Sequence, residues 1–340
     1  MVLEHLFPED WLEKKIRYAF LIAVIYSTVS IIVARMLFAG NSGLVAVVFT
    51  SILLLPYLQK LFYKEEIKEL HEQGGFKIKT FLKDNLPAIK VYSALFLGIY
   101  FTFMVYSFLL PLMGFDTGSI FREQLAIEAN MSGDASFSAG LFETIFVNNW
   151  WVLLACFLLA LLTGDGAVFF IAWNASTWGA IFGARALNAS IAGVGDPVSN
   201  LAVITSITFP HLVLEGGAYI LAAIAGSVIS ETVVSRSQDM PNFLTYFFIA
   251  ILSFIILAVI VQVLGLPSLV NTILYILIAC LLLRLIAQSF TDANHRKVFA
   301  YNVWLFYIAI ALFFVGVVVE TFVLSNSSLL MNVYHAALYS

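Results

Sequence analysis

The chain has 340 residues, of which 61% are hydrophobic and 11% are charged, and its formal net charge at pH 7 is −4. Soluble domains are about half apolar and about a quarter charged, so this composition excludes a soluble globular protein. The 17 basic residues do not exceed the 21 acidic ones, and we expect no nucleic-acid partner. The composition predicts a polytopic integral membrane protein whose first partner is the lipid bilayer.

A helix needs about 20 mostly apolar residues to cross a membrane. The N-terminal residues mix acidic and basic side chains without a signal-peptide pattern, so we expect the first apolar run to remain as a span. The sequence predicts an all-α, polytopic transmembrane helix bundle of about nine spans, forming one integral membrane domain over residues 1–340. The predicted spans are 17–39, 43–62, 89–113, 146–163, 166–184, a long segment within 198–231, 243–264, 268–288 and 299–323.

Lys and Arg residues indicate the orientation, because short cytoplasmic loops carry an excess of them. They cluster before the first span and around residues 64–88, the predicted cytoplasmic loop, whereas residues 114–144 form a predominantly acidic outer loop. We therefore expect a multi-pass protein of the cell membrane with a cytoplasmic N-terminus and an outer C-terminus. The outer loop is long enough to be a lid or a surface for another membrane or extracytoplasmic protein, and an oligomer is compatible with the sequence.

The sixth span lies in a hydrophobic stretch that is too long for one simple crossing. Asp196 followed by Pro197 is typical of an N-cap and a first-turn proline, and it predicts that a helix begins there. A helix from this point to about residue 233 would exceed the thickness of the hydrocarbon core. Pro210 lacks a backbone N–H and disfavours helix at Phe209, so the sequence predicts a broken helix near residue 210.

Two ionisable residues follow this proline inside the apolar stretch. His211 and Glu215 are four positions apart and therefore share one helix face. Small residues continue that face, and two glycines four apart on the fifth span form a similar surface for close helix approach. The residues assigned to helix packing are Gly179, Gly183, Ala218, Ala222 and Gly226.

The His211–Glu215 pair is compatible with three roles, and ionisable residues within a membrane span are functional candidates by default. The pair can be a mutually hydrogen-bonded clasp, a proton or ion relay, or part of a metal site that needs further ligands. Asn149 and Asn174 are also expected at depth, where they would form hydrogen bonds between helices. Glu320, close to a predicted span end, is expected at the interface. No catalytic residue, metal ligand or cofactor is predicted.

The same region resembles the stage II sporulation protein M family over residues 143–230. The matching features are Phe-Val-Asn-Asn-Trp at 146–150, Asn174 with Gly179, and Pro-His-x-x-x-Glu-x-x-Ala ending in Ala-x-x-x-Gly at 210–226. The resemblance implies a multi-span fold with a family-like core at 143–233 and additional C-terminal spans at 241–324. The family's founding member is a membrane component of the engulfment machinery in spore-forming bacteria, where it works with cell-wall-cleaving partners.

Three functional classes follow from these observations. The chain has no P-loop, Gly-x-Ser-x-Gly or His-Glu-x-x-His motif, so an enzyme is disfavoured. The leading hypothesis is a non-catalytic membrane scaffold or assembly protein resembling stage II sporulation protein M. The alternative is a transporter or channel for protons, ions or a small solute, with His211 and Glu215 at its polar site. An intramembrane metal-dependent hydrolase ranks third, because further ligands are missing at depth.

Overall fold

The computed structural model describes residues 16–71, 85–129, 139–164, 166–234, 240–287, 290–291 and 293–338. The regular elements of this described part are α-helices, apart from one 3-10 turn at Pro111–Met113. The helices are α1 (Ile16–Leu37), α2 (Ser42–His71), α3 (Leu86–Leu109), α4 (Thr117–Ile120), α5 (Arg122–Ala129), α6 (Ala139–Thr163), α7 (Ala167–Ile191), α8 (Pro197–Val234), α9 (Met240–Leu264), α10 (Ser268–Ile286), α11 (Ala293–Asn326) and α12 (Ser328–Leu338).

Seven helices of the described part are long and apolar enough to cross a membrane: α1, α3, α6, α7, α8, α9 and α11. The prediction of an all-α, multi-pass membrane bundle is confirmed at this level. Each predicted span coincides with a helix. However, the described apolar stretches of α2 and α10 are shorter, at Ser42–Leu58 and Ile273–Arg284. The count of nine spans therefore stays a prediction.

The long helix α8 corrects one prediction. The expected break near residue 210 is wrong, because α8 runs without interruption through Phe209 and Pro210 over its 38 residues. A proline removes only one backbone donor, and neighbouring helices support α8 on both sides of it. The predicted helix start is confirmed, since the Asp196 carboxylate accepts the backbone N–H groups of Val198 at 3.1 Å and Ser199 at 2.9 Å.

The bundle is built around α8, which packs against α2, α3, α6, α7 and α11. Every residue of α8 from 218 to 230 is buried, including Ala218 and Ala222. Gly226 lies directly on α6, where an added Cβ would be 2.6 Å from the Cβ of Ala160. The small residues of this face thus allow α6 and α8 to approach closely.

Gly179 and Gly183 of α7 face the backbone of α3. A Cβ at Gly179 would lie 3.0 Å from the Met104 nitrogen, and a Cβ at Gly183 would lie 3.1 Å from the Phe108 nitrogen. The structure therefore places this pair of glycines against a specific partner helix. The sequence pattern indicated close packing but did not identify α3 as the partner.

The described part of the 114–144 segment lies on the bundle. The Ser42 hydroxyl donates to the Ile120 carbonyl at 2.9 Å, and the Gln124 amide donates to the Gly43 carbonyl at 3.1 Å. These bonds join α4 and α5 to the start of α2. At the other end of α2, residues 64–71 of the predicted cytoplasmic loop continue that helix. Residues 72–84 and 130–138, which belong to the two predicted loops, lie outside the described part.

Helices α9 and α10 lie at the periphery, and an apolar cavity of about 210 Å³ is lined by side chains of α6, α9, α10 and α11. Its walls include Trp151, Phe157, Phe254 and Phe306. On its outward side α9 presents large apolar side chains, and Val263 is 81% exposed. Such a surface suits contact with lipid chains. The periphery of the molecule is thus apolar, and its buried ionisable side chains lie nearer to α8.

We predict that Gly183→Ala destabilises the protein by about 1–3 kcal/mol, because the new methyl group collides with α3 backbone. This collision outweighs the gain in helix propensity of about 1 kcal/mol. Gly40→Ala is the control, since a Cβ at Gly40 meets nothing within 4 Å. Thermal unfolding in detergent, followed by size-exclusion chromatography, measures both variants. Equal midpoints for Gly183→Ala and the wild type would contradict the predicted close packing.

Candidate functional site

The two ionisable residues of α8 are deeply buried. His211 is 6% exposed and Glu215 is 1% exposed, and both lie on the face of α8 that meets its neighbours. Gly316 of α11 lies against Glu215, because a Cβ at Gly316 would be only 2.8 Å from Glu215 Cγ. The absence of a side chain at Gly316 therefore makes room for the Glu215 carboxyl group between α8 and α11.

A second carboxyl group comes from α11. Glu320 follows Gly316 by one helical turn, and its carboxyl group forms a hydrogen bond with that of Glu215. Asn149 of α6 donates its amide N–H to Glu320 Oε2 over a long distance of 3.4 Å, and it also reaches Glu215. One polar side chain from each of α6, α8 and α11 thus meets in one layer of the bundle.

The contact between Glu215 and Glu320 requires a positive charge or a proton. An ionised carboxylate only accepts hydrogen bonds, so two ionised groups cannot bond to each other. Two unit charges 4 Å apart would repel by about 4 kcal/mol at an effective dielectric constant near 20. No Lys or Arg of the described residues forms an ion pair with either group. The pair is therefore a place where binding of a small cationic species is favourable.

Further buried polar atoms surround the carboxyl pair. His211 interacts electrostatically with Glu320, and Tyr219, one turn beyond Glu215 on α8, interacts with both carboxyl groups. Within the described part of the chain, three buried atoms of this layer have no hydrogen-bond partner: His211 Nδ1, Glu215 Oε1 and Tyr219 Oη. Buried polar atoms without partners are rare in proteins, so a cluster of them indicates a functional site.

The other residues singled out in the sequence lie elsewhere. Asn174 donates to the Phe170 carbonyl of its own helix at 2.8 Å and takes no part in the carboxyl layer. Pro210 is exposed, whereas the adjacent His211 is buried. No three His, Cys, Asp or Glu residues within the described ranges come together in a group that could hold a metal ion. The metal interpretation therefore gains no support.

Glu320 is the residue that sequence reasoning missed. It was expected at the interface because the last predicted span ended at residue 323, whereas α11 continues to Asn326. The signal was present in the run Val-Val-Val-Glu-Thr-Phe-Val, where one acidic residue stands among apolar ones. Only its contact with Glu215 across the bundle distinguishes it from an ordinary residue at a helix end.

Comparison with known proteins adds no further information on the site. No family model matches this chain, and searches of characterised proteins and of solved structures find no match either. The resemblance to the stage II sporulation protein M family stands on the residues given above and stays a prediction.

We predict that Glu320→Leu destabilises the protein by about 1–3 kcal/mol, because it leaves the buried Glu215 carboxyl without its partner. Glu320→Gln is the matched control, since its amide can still accept a hydrogen bond from Glu215 or donate one to it. Thermal unfolding of both variants in the same detergent measures the difference. Equal losses in the two variants would show that the carboxyl contact does not contribute to stability.

Proposed function

We propose that this protein is a membrane transporter or channel for protons, ions or a small solute, with Glu215, Glu320 and His211 at its polar site. The observation that carries the proposal is the buried contact between two carboxyl groups from different helices. Ionisable residues within membrane spans commonly lie on ion and proton pathways. A pair that needs a bound proton or cation is suited to such a role.

Binding of a proton or cation to the Glu215–Glu320 pair affects how α8 packs against α11. Release of the bound species leaves two like charges between α8 and α11, with a repulsion of about 4 kcal/mol. A shift from 1:99 to 99:1 between two conformations needs about 5.5 kcal/mol. Occupancy of one site can therefore bias the packing of α8 against α11 strongly. This coupling between binding and helix separation is what a transporter requires.

A non-catalytic scaffold or assembly protein is the second candidate. It is supported by the resemblance of residues 143–230 to the stage II sporulation protein M family, and by the exposed apolar face of α9. That face could contact another membrane protein as well as lipid. The two candidates differ in one measurable respect, because a scaffold needs no movement of ions or solutes through the bundle.

For the transport proposal, we predict a pH-dependent proton or cation flux in liposomes that contain the purified protein. Glu215→Gln and Glu320→Gln should lower this flux at least about tenfold, since they remove the charge of the pair. His211→Ala should lower it as well. The control is Glu143→Gln, the same substitution at the outer end of α6 and outside the polar layer. A wild-type protein without flux would overturn this proposal and leave the scaffold as the remaining candidate.

We also propose nine spans, with the N-terminus cytoplasmic and the C-terminus outside, on the basis of the Lys and Arg distribution. Fusions at the C-terminus test this orientation. An alkaline phosphatase fusion should be active and a fluorescent protein fusion dark, because each folds productively on only one side of a bacterial membrane. The same reporters fused after residue 264 should also give an active phosphatase and a dark fluorescent protein, because this position is outside in the proposed topology. A bright C-terminal fusion would place the C-terminus in the cytoplasm and overturn the proposed topology.

A further inference from the structure

The chemistry around the carboxyl pair distinguishes a proton from a metal cation. Asn149 directs its amide N–H toward Glu320, whereas its amide oxygen accepts a hydrogen bond from the Asn148 side chain at 3.2 Å. A metal cation would need several oxygen ligands, and among the described residues no three His, Cys, Asp or Glu form a group that could hold one. An N–H donor directed at the site is instead suited to a carboxylate. The hydrogen bond between Glu215 and Glu320 needs one proton and no additional oxygen ligands.

The two carboxyl groups differ in their surroundings, and this difference indicates which one holds the proton. Asn149 interacts with both carboxyl groups and does not distinguish them, whereas Glu320 is only half-buried and its ionised form is less desolvated. Glu215 is 1% exposed, and its Oε1 has no hydrogen-bond partner within the described part of the chain. Burying an unpaired charge costs far more than burying a neutral carboxylic acid. The neutral form is therefore favoured at Glu215.

We propose that the polar site binds a single proton, held on Glu215 and donated in a hydrogen bond to an ionised Glu320. This inference rests on the proposed transport function and names the species that the site takes. The titratable groups in electrostatic contact with the pair are His211 and Tyr219, both on α8. Within the described residues, α2, α3 and α7 place no charged group in electrostatic contact with Glu215.

The packing of α8 is close on the side of the carboxyl pair beyond Tyr219. Beyond Tyr219, every residue of α8 up to position 230 is buried, and Gly226 packs directly on the backbone of α6. Phe157 and Phe306 stack at the same level with ring centroids 4.0 Å apart. This layer separates the pair from the far end of α8. On the opposite side, His211 lies one turn away from Glu215.

Infrared spectroscopy of the purified full-length protein in detergent and D2O tests the inference without any transport assay. At about pH 6, exposed carboxyl groups are ionised, so a protonated-carboxyl C=O band reports a group such as Glu215. We expect this band in the wild type and its loss in Glu215→Gln. In Glu320→Gln the band should persist at a shifted frequency, because the acceptor of the Glu215 hydrogen bond has changed. His211→Ala should slow the appearance of the band after a pH jump without changing its final intensity.

Several outcomes would overturn the proposal. A band that survives Glu215→Gln and disappears in Glu320→Gln would place the proton on Glu320. A wild-type protein without the band, or one whose band is removed by added Na⁺, would make the pair a cation site. Glu215→Asp provides a second variant, and it should retain a shifted band even where Glu215→Gln is poorly folded. The two proposals can fail independently. A protein with a protonated Glu215 but no flux would refute the transport proposal and leave the proton-binding site intact.

Discussion

Two carboxyl groups on different helices can meet inside a membrane protein only when a proton or cation offsets their charges. Here Glu215 and Glu320 meet between α8 and α11, and the surrounding structure makes that contact geometrically possible. Gly316 leaves space for the Glu215 side chain, and Asn149 supplies a donor from α6. The site therefore depends on the close approach of three helices, each contributing one small or polar residue at the same level.

The same use of small residues organises the rest of the bundle. Gly183 brings α7 onto α3, and Gly226 brings α8 onto α6, so helix backbones rather than long side chains form these contacts. The periphery differs, because an apolar cavity lies among α6, α9, α10 and α11. A tightly packed centre holds the polar layer in register, whereas the looser periphery presents apolar side chains suited to lipid.

The buried Glu215–Glu320 pair helps to choose between a transporter and a scaffold. Replacing a whole buried ionic pair with well-packed apolar side chains is often neutral or stabilising, although removing one partner alone is destabilising, so ionisable residues are not needed to hold a bundle together. A pure scaffold would gain little from a carboxyl pair that must bind a proton. In a transporter the same pair links occupancy to helix packing, since losing one proton creates repulsion between α8 and α11. Physical reasoning therefore favours transport, while the family resemblance favours a scaffold.

The sequence by itself determined the membrane environment, the helical class, the start of α8 at Asp196–Pro197 and the shared face of His211 and Glu215. These are local properties, because hydrophobic length, capping and four-residue spacing need no knowledge of distant residues. The uninterrupted course of α8 through Pro210 was decided by packing, since neighbouring helices support the segment on both sides of the proline. The pairing of Glu215 with Glu320 was decided in the same way. Glu215 and Glu320 are far apart along the chain. Only the packing of α11 against α8 brings their carboxyl groups together.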